Sequence, residues 1–345
     1  MVTLKDVARA AGVSKMTVSN VLNGRSGQVS AETSRRVLEA VAELGYAGNA
    51  AARALSASRS GIVLFVYGAP LPEHIPYGNP HDTVLLQAIE RRVTEAGKHL
   101  MVRSSADVSE VARQLGSWNA DGAILYGPMP DEVEALRAAH DVPMVFVDAV
   151  APTPAPVAAV GLDDQLGGYL ATRHLVEAGH RNIAFVGPVM GRPGVVADRQ
   201  RGYLQAMEET EGATGGWFHA ATVFYGPARD LVPELLADPR GFTAAVATAD
   251  IIAVGLLKGI EDQGMRVPDD FSVVGFDDIY LAELVTPPLT TVHQDVHEKG
   301  RLAADLLIDQ IEHGAKPARV LLQPELRVRA SVGPPQGRSG RSPGR

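Results

Sequence analysis

The chain has 345 residues, of which 46% are hydrophobic, so it is long enough for a small domain plus one large or two medium domains. It has no cysteine, which excludes a disulfide framework and a thiolate metal site. Residues 1–60 contain 8 Lys and Arg against 4 Asp and Glu, whereas the whole chain has a net charge of −8, so the remainder carries −12. A basic first segment on an acidic body suits a protein that docks one end on a polyanion.

The first predicted elements are two short helices joined by a tight turn. Thr3 and Asp6 have the spacing at which a helix start satisfies two free backbone donors, which predicts a helix from about Leu4 to Ala11. Gly12 allows a sharp change of direction, and Ser14 can cap a second helix from Lys15 to about Leu22. The pattern is therefore helix, turn, helix.

The second helix has two different faces, given its three- and four-residue spacing. The face expected to pack consists of Val18, Val21 and Leu22, and the face expected to be presented consists of Lys15, Met16, Ser19 and Asn20. Such polar side chains can touch base edges or phosphates, and a helix-turn-helix places this face in the major groove of DNA. A small solvated three-helix bundle is the alternative for a lone pattern of this kind.

A third helix completes this small domain. It is predicted to be capped by Ser30 and to end at Gly45. Its predicted apolar stripe consists of Val37, Leu38, Val41 and Leu44. The three helices would then share one core.

Two stretches of this domain resemble the N-terminal headpiece of the LacI/GalR family of bacterial transcription regulators almost residue for residue. They are VTLKDVARAAGVSKMTVSNVLNG (2–24) and VSAETSRRVLEAVAELGYAGNAAARAL (29–55). The resemblance extends over roughly residues 2–332. It implies a helix-turn-helix DNA-binding headpiece over residues 1–46. The candidate DNA contacts in this headpiece are Ser14, Lys15, Met16, Thr17, Ser19 and Asn20.

Residues 47–60, AGNAAARALSASRS, join the headpiece to the body. On composition alone they are a linker, or a short helix that would be marginal by itself. The resemblance implies a hinge helix that forms on operator DNA and wedges a leucine into the minor groove. Leu55 stands at the wedge position, with Ala52 beside it.

From residue 61 onwards, short apolar runs alternate with helical segments, which is typical of parallel α/β units. The first unit has predicted strands GIVLFVY, KHLMVRS, DGAILYG and VPMVFVD, with helices over 83–97, 107–117 and 130–140. The second has predicted strands RNIAFVG, TAAVAT and FSVVGF, with helices over 163–179, 198–211, 228–238 and 250–264. The proline-rich stretch APTPAPVAAV (151–160) and TPPLTTVHQ (286–294) mark crossings between the units, and a helix from Val296 to His313 would return to the first.

The predicted core is thus a two-lobed α/β domain over residues 61–332, with two open parallel sheets and helices on both faces. Lobe 1 is expected to span about 61–155 plus 293–318, and lobe 2 about 160–290 plus 319–332. The family resemblance implies that this core is periplasmic-binding-protein-like and responsible for effector binding and dimerisation. Two lobes joined by a hinge close on ligands. Residues 333–345 are low in apolar residues and predicted to be a disordered tail.

Ligand contacts in open α/β sheets gather at the carboxyl ends of the strands. Asp148, Asp250 and Asp277 follow apolar runs, and Arg199 opens a helix, so carboxylates that accept and a guanidinium that donates could hold hydroxyl groups. Helix caps and surface ion pairs are the alternative for each of them.

The resemblance adds specific roles for these positions. Arg199 in RQRGY and Asp277 in GFDD match family motifs that contact the effector, and Asp148 matches a less constant ligand position. Tyr225, next to Phe224, lies where an aromatic often stacks on the ligand. Where relatives commonly read Asn-Asp, this chain reads Ala249-Asp250, which removes a usual polar contact and argues against a standard hexose effector.

Enzymatic interpretations have no support in the sequence. VGPVMGRPG lacks the G-x-G-x-x-G spacing, and G-x-S-x-G, Walker A and H-E-x-x-H motifs are absent. His174 and His180 are six residues apart and predicted to be a solvated pair rather than a metal site. We therefore predict no catalytic site, metal or cofactor.

The predicted function is that of an effector-controlled DNA-binding regulator, a repressor by the family's usual habit. Two headpieces must meet the two half-sites of a palindromic operator, which predicts a homodimer. The expected effector is a small sugar-like molecule. The alternative is a solute-binding protein of the periplasmic type, but it would need an export signal and no headpiece. MVTLKDV lacks the pattern of such a signal, and no apolar run approaches about 18 residues, so we expect a cytoplasmic protein without a membrane span.

Overall fold

The structure is a computed structural model that describes residues 2–22, 29–46, 59–67, 79–104, 108–127, 130–139, 141–149, 157–188, 194–220 and 222–335. The chain forms two compact units, Met1–Gly61 and Ile62–Arg345. The predicted hinge positions Ala52 and Leu55 lie outside the described residues. No helix in the described ranges is long and apolar enough to cross a membrane.

The first unit contains the three predicted helices, α1 (Leu4–Ala11), α2 (Lys15–Leu22) and α3 (Ala31–Leu44). Their predicted caps are confirmed. The Asp6 carboxylate accepts from the Thr3 backbone N–H at 3.0 Å, and Ser14 Oγ accepts from the Thr17 N–H at 3.1 Å. Ser30 caps α3, which ends at Gly45 in the left-handed conformation that favours glycine.

The core of this unit is built from small side chains. Val7, Val18 and Val37 are fully buried, and alanines fill the space around them. The predicted stripe of α3 is partly wrong, because Leu38 is 54% exposed and Leu44 is 36% exposed. Small residues bring the helices close together, so the buried stripe is narrow and these two leucines lie at its margin.

Within the described residues, the second unit contains two six-stranded sheets. The strands are β1 (Ile62–Tyr67), β2 (His99–Ser104), β3 (Gly122–Tyr126), β4 (Met144–Val147), β5 (Ala158–Leu162), β6 (Asn182–Gly187), β7 (Thr214–His219), β8 (Ala244–Ala247), β9 (Ser272–Asp277), β10 (Thr290–His293), β11 (Arg319–Leu322) and β12 (Glu325–Arg327). The helices are α4 (Pro80–Glu95), α5 (Val108–Ser117), α6 (Pro130–Ala139), α7 (Asp164–Glu177), α8 (Val195–Glu208), α9 (Tyr225–Asp230), α10 (Val232–Ala237), α11 (Asp250–Asp262), α12 (Leu281–Leu284) and α13 (Val296–His313).

The sheet of lobe 1 has the order β11-β5-β4-β3-β1-β2 and is entirely parallel. Helices α4 and α13 cover one face, and α5 and α6 cover the other. The sheet of lobe 2 has the order β12-β10-β9-β8-β6-β7, with helices on both faces. Its edge strand β12 runs antiparallel to β10 and its other pairs are parallel, so the predicted two open parallel sheets are confirmed except at this edge.

The strand assignments move the predicted lobe boundaries. Strand β5 belongs to lobe 1, so the proline-rich stretch before it is not the first crossing. Strand β10 belongs to lobe 2, and β11 returns to lobe 1 before β12 ends in lobe 2. The chain therefore crosses between the lobes after β5, after β10 and after β11. Strands of three to five residues give too short a hydrophobic pattern to show which sheet they join.

The segment after β12 is packed on lobe 2 for longer than predicted. The Gly333 carbonyl oxygen accepts from His180 Nε2 at 2.9 Å, and the Gly333 N–H donates to Ser272 Oγ at 3.1 Å. His180 is buried and also bonds Thr243 Oγ1, so the prediction of a solvated pair with His174 is wrong. Residues 333–335 are part of the lobe, and 336–345 lie outside the described residues.

Candidate functional site

The presented face of α2 differs in exposure along its length. Ser14, Lys15 and Met16 are exposed, Met16 by 70%, whereas Ser19 and Asn20 are half-buried. Thr17 is also half-buried, and its backbone N–H and its hydroxyl both bond Ser14 Oγ. Val18, on the opposite face, is fully buried and anchors the helix. This arrangement leaves the first turn of α2 the most accessible part of the helix.

Three predicted effector residues, Asp148, Arg199 and Asp277, lie in one buried polar network. Lys299 of α13 donates from Nζ to Asp148 Oδ1 at 2.8 Å and to Gln294 Oε1 at 2.6 Å. Gln294 Nε2 in turn donates to Asp277 Oδ1 at 2.7 Å. Since Gln294 directly follows β10, the network passes from lobe 1 to lobe 2 along the second crossing.

Arg199 of α8 continues the network within lobe 2. Its Nε donates to Asp164 Oδ1 at 2.7 Å, and its Nη1 donates to the Thr248 carbonyl oxygen. Nη1 also lies 3.7 Å from Asp277 Oδ1. The guanidinium is 3.5 Å from the centre of the Phe276 ring, a distance at which a cation and an aromatic face attract each other. Arg199 is thus held in one orientation.

Two carboxylates of the network are on residues with positive φ, at 54° for Asp148 and 113° for Asp277. Residues other than glycine rarely adopt such values, and the associated strain is found preferentially at functional sites. Each of these aspartates directly follows or ends a central strand, β4 or β9. The backbone therefore holds both side chains in specific directions at the carboxyl ends of the two sheets.

Burial shifts the proton affinities of the network. It raises the pKa of Asp164 to about 6, although Arg199 opposes this shift. It also raises the pKa of Asp277, although the charges of His81 and Arg199 oppose it. For Arg199, burial lowers the pKa, but the charges of Asp164 and Asp277 outweigh burial and raise it. Burial thus favours the protonated forms of Asp164 and Asp277 more strongly than the neighbouring cations oppose them.

The structure does not bring the other two predicted effector residues into the network. Asp250 is fully buried in lobe 2, where its carboxylate accepts hydrogen bonds from Thr291 Oγ1 and from the Ile279 N–H. This burial raises the pKa of Asp250 well above its usual value. These bonds tie α11 to β10 and to the segment that follows β9. Tyr225 begins α9, which packs on α11 at Gly255.

Sequence reasoning missed a second buried group in lobe 1. Asp82 of α4 accepts from the Tyr67 hydroxyl at 2.6 Å and from the Tyr126 hydroxyl at 2.9 Å. His81 Nδ1 is 3.1 Å from the same carboxylate. The two tyrosines lie at the ends of predicted strands, which is a signal that could have identified them. The position of Lys299 on the otherwise apolar face of α13 is a similar signal. His81 and Asp82 gave no signal.

His81 connects this group to the network. It is 4% exposed, and its Nε2 has no hydrogen-bond partner among the described residues. Burial lowers the pKa of His81, but the hydrogen bond with Asp82 and the charge of Asp277 outweigh burial and raise it. Since Asp277 is in lobe 2, this attraction acts between the lobes. In the described part of the chain, no three acidic, histidine or cysteine side chains are placed to hold a metal ion.

Two family models match the sequence. The model of bacterial regulatory proteins of the lacI family matches residues 3–49, and that of a periplasmic binding protein-like domain matches residues 172–332. The transcriptional regulator DegA of Bacillus subtilis is 32% identical over 344 residues, which cover 96% of this chain and 98% of DegA. The chain belongs to the LacI family of bacterial regulatory proteins. The family resemblance seen in the sequence is thereby confirmed.

Other members of the LacI family match with similar coverage. The transcriptional repressor PurR of Haemophilus influenzae is 30% identical, over 96% of this chain and 99% of PurR. The Lac repressor dimer bound to operator and the anti-inducer ONPF is 28% identical with a TM-score of 0.80, over 96% of this chain and 99% of that one. The transcriptional regulator CelR in its cellobiose complex is 29% identical with a TM-score of 0.69, over 96% and 100%. These relatives are regulators rather than enzymes, and they confirm the predicted headpiece and two-lobed core.

Proposed function

We propose that this LacI-family protein is a transcriptional repressor that binds a palindromic operator as a homodimer, under the control of a small molecule bound between its lobes. The observation that carries the proposal is the buried network from Asp148 through Lys299 and Gln294 to Asp277 and Arg199. Its members come from both lobes and from the crossing between them. A molecule that contacts both lobes binds the closed arrangement better than the open one, and only such a differential contact shifts an equilibrium.

The DNA-binding part of the proposal rests on α2. Its exposed first turn carries Lys15, which can donate to guanine or phosphate, and Met16, which can contact a thymine methyl group. Ser14, Thr17 and Ser19 would fix register on the phosphates, and Asn20 would reach a base edge. Leu55, with Ala52 beside it, would wedge into the minor groove. We infer that the protein acts in the cytoplasm, where an operator is accessible.

The effector part rests on chemistry and on relatives. Asp148, Arg199 and Asp277 combine hydrogen-bond acceptors with a fixed guanidinium, the groups that hold hydroxyls. The CelR structure contains cellobiose, and the Lac repressor structure contains an anti-inducer. By this analogy, we propose a sugar-like effector. A solute-binding protein would share the two lobes but has no use for the headpiece.

The test is recovery of DNA by the purified full-length protein from the fragmented genome of its source, followed by sequencing. We expect the bound fragments to share one palindrome, and a Lys15→Ala/Met16→Ala variant, which keeps the core of the headpiece, to lose this enrichment. Small molecules from a cell extract should then change the affinity for that palindrome. Equal recovery of unrelated fragments by both proteins would refute the regulator assignment.

A further inference from the structure

Acidic groups outnumber basic groups in the buried network that joins the lobes. Among the described residues, four network carboxylates, Asp82, Asp148, Asp164 and Asp277, face three groups that can carry positive charge, His81, Arg199 and Lys299. All seven side chains are at most 9% exposed. Ions in such surroundings are poorly screened, so the carboxylates that are ionised repel an anion that enters more strongly than surface carboxylates would.

Both permanent cations already have buried carboxylate partners. Lys299 is bound to Asp148 and to Gln294. Arg199 is bound to Asp164 and to the Thr248 carbonyl oxygen, and it stacks on Phe276. A phosphate or carboxylate is held by charge-assisted bonds from groups of this kind. To bind here, it would have to share these cations with Asp148 and Asp164 and lie close to their carboxylates, or replace one of them and leave a buried carboxylate unpaired.

Of the four buried side-chain polar atoms that are unpartnered in the described residues, two belong to residues beside this network, one in each lobe. They are Nε2 of His81 in lobe 1 and Oγ1 of Thr248 in lobe 2. The ionised carboxylate of Asp82 can only accept a hydrogen bond, so the proton of this contact is on Nδ1 of His81. Nε2 therefore accepts a hydrogen bond when the ring is neutral and donates one when the ring is charged. A hydroxyl group can do both, so it pairs with His81 in either state, and likewise with the hydroxyl of Thr248.

We propose that the effector is a hydroxyl-rich molecule without an anionic group, and that His81 Nε2 and Thr248 Oγ1 determine this specificity by bonding its hydroxyls from the two lobes. This inference rests on the proposed function. Sugars, amino sugars and polyols fit it, whereas sugar phosphates and sugar acids do not. The remaining oxygens of Asp148, Asp164 and Asp277 are acceptors, which hydroxyl and amino donors match.

The first test separates cell extract on an anion exchanger and adds each small-molecule fraction to the complex of the full-length protein with its operator. The flow-through holds neutral and cationic compounds, and it should change the operator affinity. Activity found only in the retained, anionic fraction would overturn the inference but leave the proposed function intact. Activity in neither fraction would contradict effector control itself.

The second test uses matched substitutions with the active flow-through as the probe. His81→Asn keeps a polar atom where Nδ1 stands but removes Nε2, and His81→Gln keeps one near Nε2. Thr248→Val removes the hydroxyl, and Thr248→Ser keeps it. We expect His81→Asn and Thr248→Val to need at least about tenfold more of the fraction for the same response, since each leaves a hydrogen bond unmade.

The conservative partners, His81→Gln and Thr248→Ser, should stay within about threefold of the wild-type response. All four variants should bind the operator with wild-type affinity in the absence of the fraction. A residue with a merely structural role would change this affinity as well as the response to the fraction. A wild-type response from His81→Asn and Thr248→Val would remove both residues from the site.

Discussion

The ammonium group of Lys299 lies 2.8 Å from the carboxylate of Asp148, although 151 positions separate them in the chain. Lys299 is 1% exposed, so this is a buried ion pair. It joins the end of β4 to the first turns of α13, and through Gln294 it reaches Asp277 in the other lobe. The return of the chain to lobe 1 is thus fixed by charge as well as by apolar packing.

Removing one partner of this pair should be costly, because the other charge stays buried without compensation. Lys299→Met, which keeps the length of the side chain, should lower the free energy of unfolding by about 3–5 kcal/mol. Adding Asp148→Asn should restore part of the loss. Urea unfolding of the three proteins measures this. Lys258→Met is the matched control, since Lys258 is half exposed, and it should change little. A loss no larger than the control's would contradict the buried pair.

The second prediction concerns pH. Asp164, Asp277 and His81 all have pKa values raised by folding, Asp164 to about 6. At these three groups the folded protein binds more protons than the unfolded chain, so their contribution to stability falls as pH rises through these pKa values. Burial lowers the pKa of His174 and of His180, which therefore contribute in the opposite direction. Between pH 5 and pH 8, each group contributes a slope of at most about 1.4 kcal/mol per pH unit.

The surface carboxyl group of Asp238 does not affect stability in this pH range. Arg240 lowers the pKa of Asp238 to about 2, so stability from that group is lost only in more acidic solution. Urea unfolding at pH 5, 6, 7 and 8 should show that the free energy of unfolding of the wild type, relative to that of Asp164→Asn, decreases as the pH rises. Identical profiles for the wild type and Asp164→Asn would show that Asp164 does not bind its proton as inferred.

Local signals in the sequence predicted the headpiece well. The caps of α1, α2 and α3 depend on side chains within three residues of the backbone groups they satisfy, so spacing alone locates them. The carboxyl ends of predicted strands likewise led to Asp148 and Asp277. Leu38 was misplaced because the width of a buried stripe depends on the size of side chains on other helices.

The remainder of the site depends on contacts between distant parts of the chain. Asp82 is buried because two tyrosine hydroxyls from β1 and β3 satisfy it, and no local pattern in its own segment reports this. Asp250 follows a strand as a ligand residue would, yet Thr291 and the Ile279 N–H occupy its oxygens. Sequence position predicts the edge of the sheet on which a residue lies but not which partner it finds there.

The third prediction concerns the contact between α7 and α8, which places Asp164 beside Arg199. A Cβ atom added at Gly202 would lie 1.9 Å from the Gln165 carbonyl oxygen, so alanine cannot fit unless the helices separate. Gly202→Ala should lower the free energy of unfolding by roughly 1–3 kcal/mol or more. It should also weaken the effector response, because the guanidinium of Arg199 would move away from its partners.

Gly226 in α9 is the matched control, since a Cβ there would meet nothing within 4 Å. Gly226→Ala should be neutral or should raise stability by about 0.4–1 kcal/mol, because alanine restricts the unfolded chain. Thermal and urea unfolding of both variants provides the comparison. Equal stabilities would mean that the two helices do not approach as closely as the glycine requires.

The last prediction concerns base readout by Asn20. This residue is half-buried on α2, one turn beyond the exposed Met16, and its amide can pair with N6 and N7 of adenine. Arginine at the same position would instead pair bidentately with guanine. Asn20→Arg should therefore change the preferred base at one symmetric pair of operator positions, with discrimination of roughly 1–3 kcal/mol.

Selection from a randomised operator pool measures this preference directly for the full-length protein and its variant. Lys15→Ala is the comparison, because it should relax preference at a different position while Asn20 continues to select adenine. If Asn20 bonds only a phosphate, its replacement alters overall affinity and salt dependence but leaves every base preference unchanged. In that case, the readout by this face of α2 belongs to Lys15 and Met16, the two side chains that the helix exposes most.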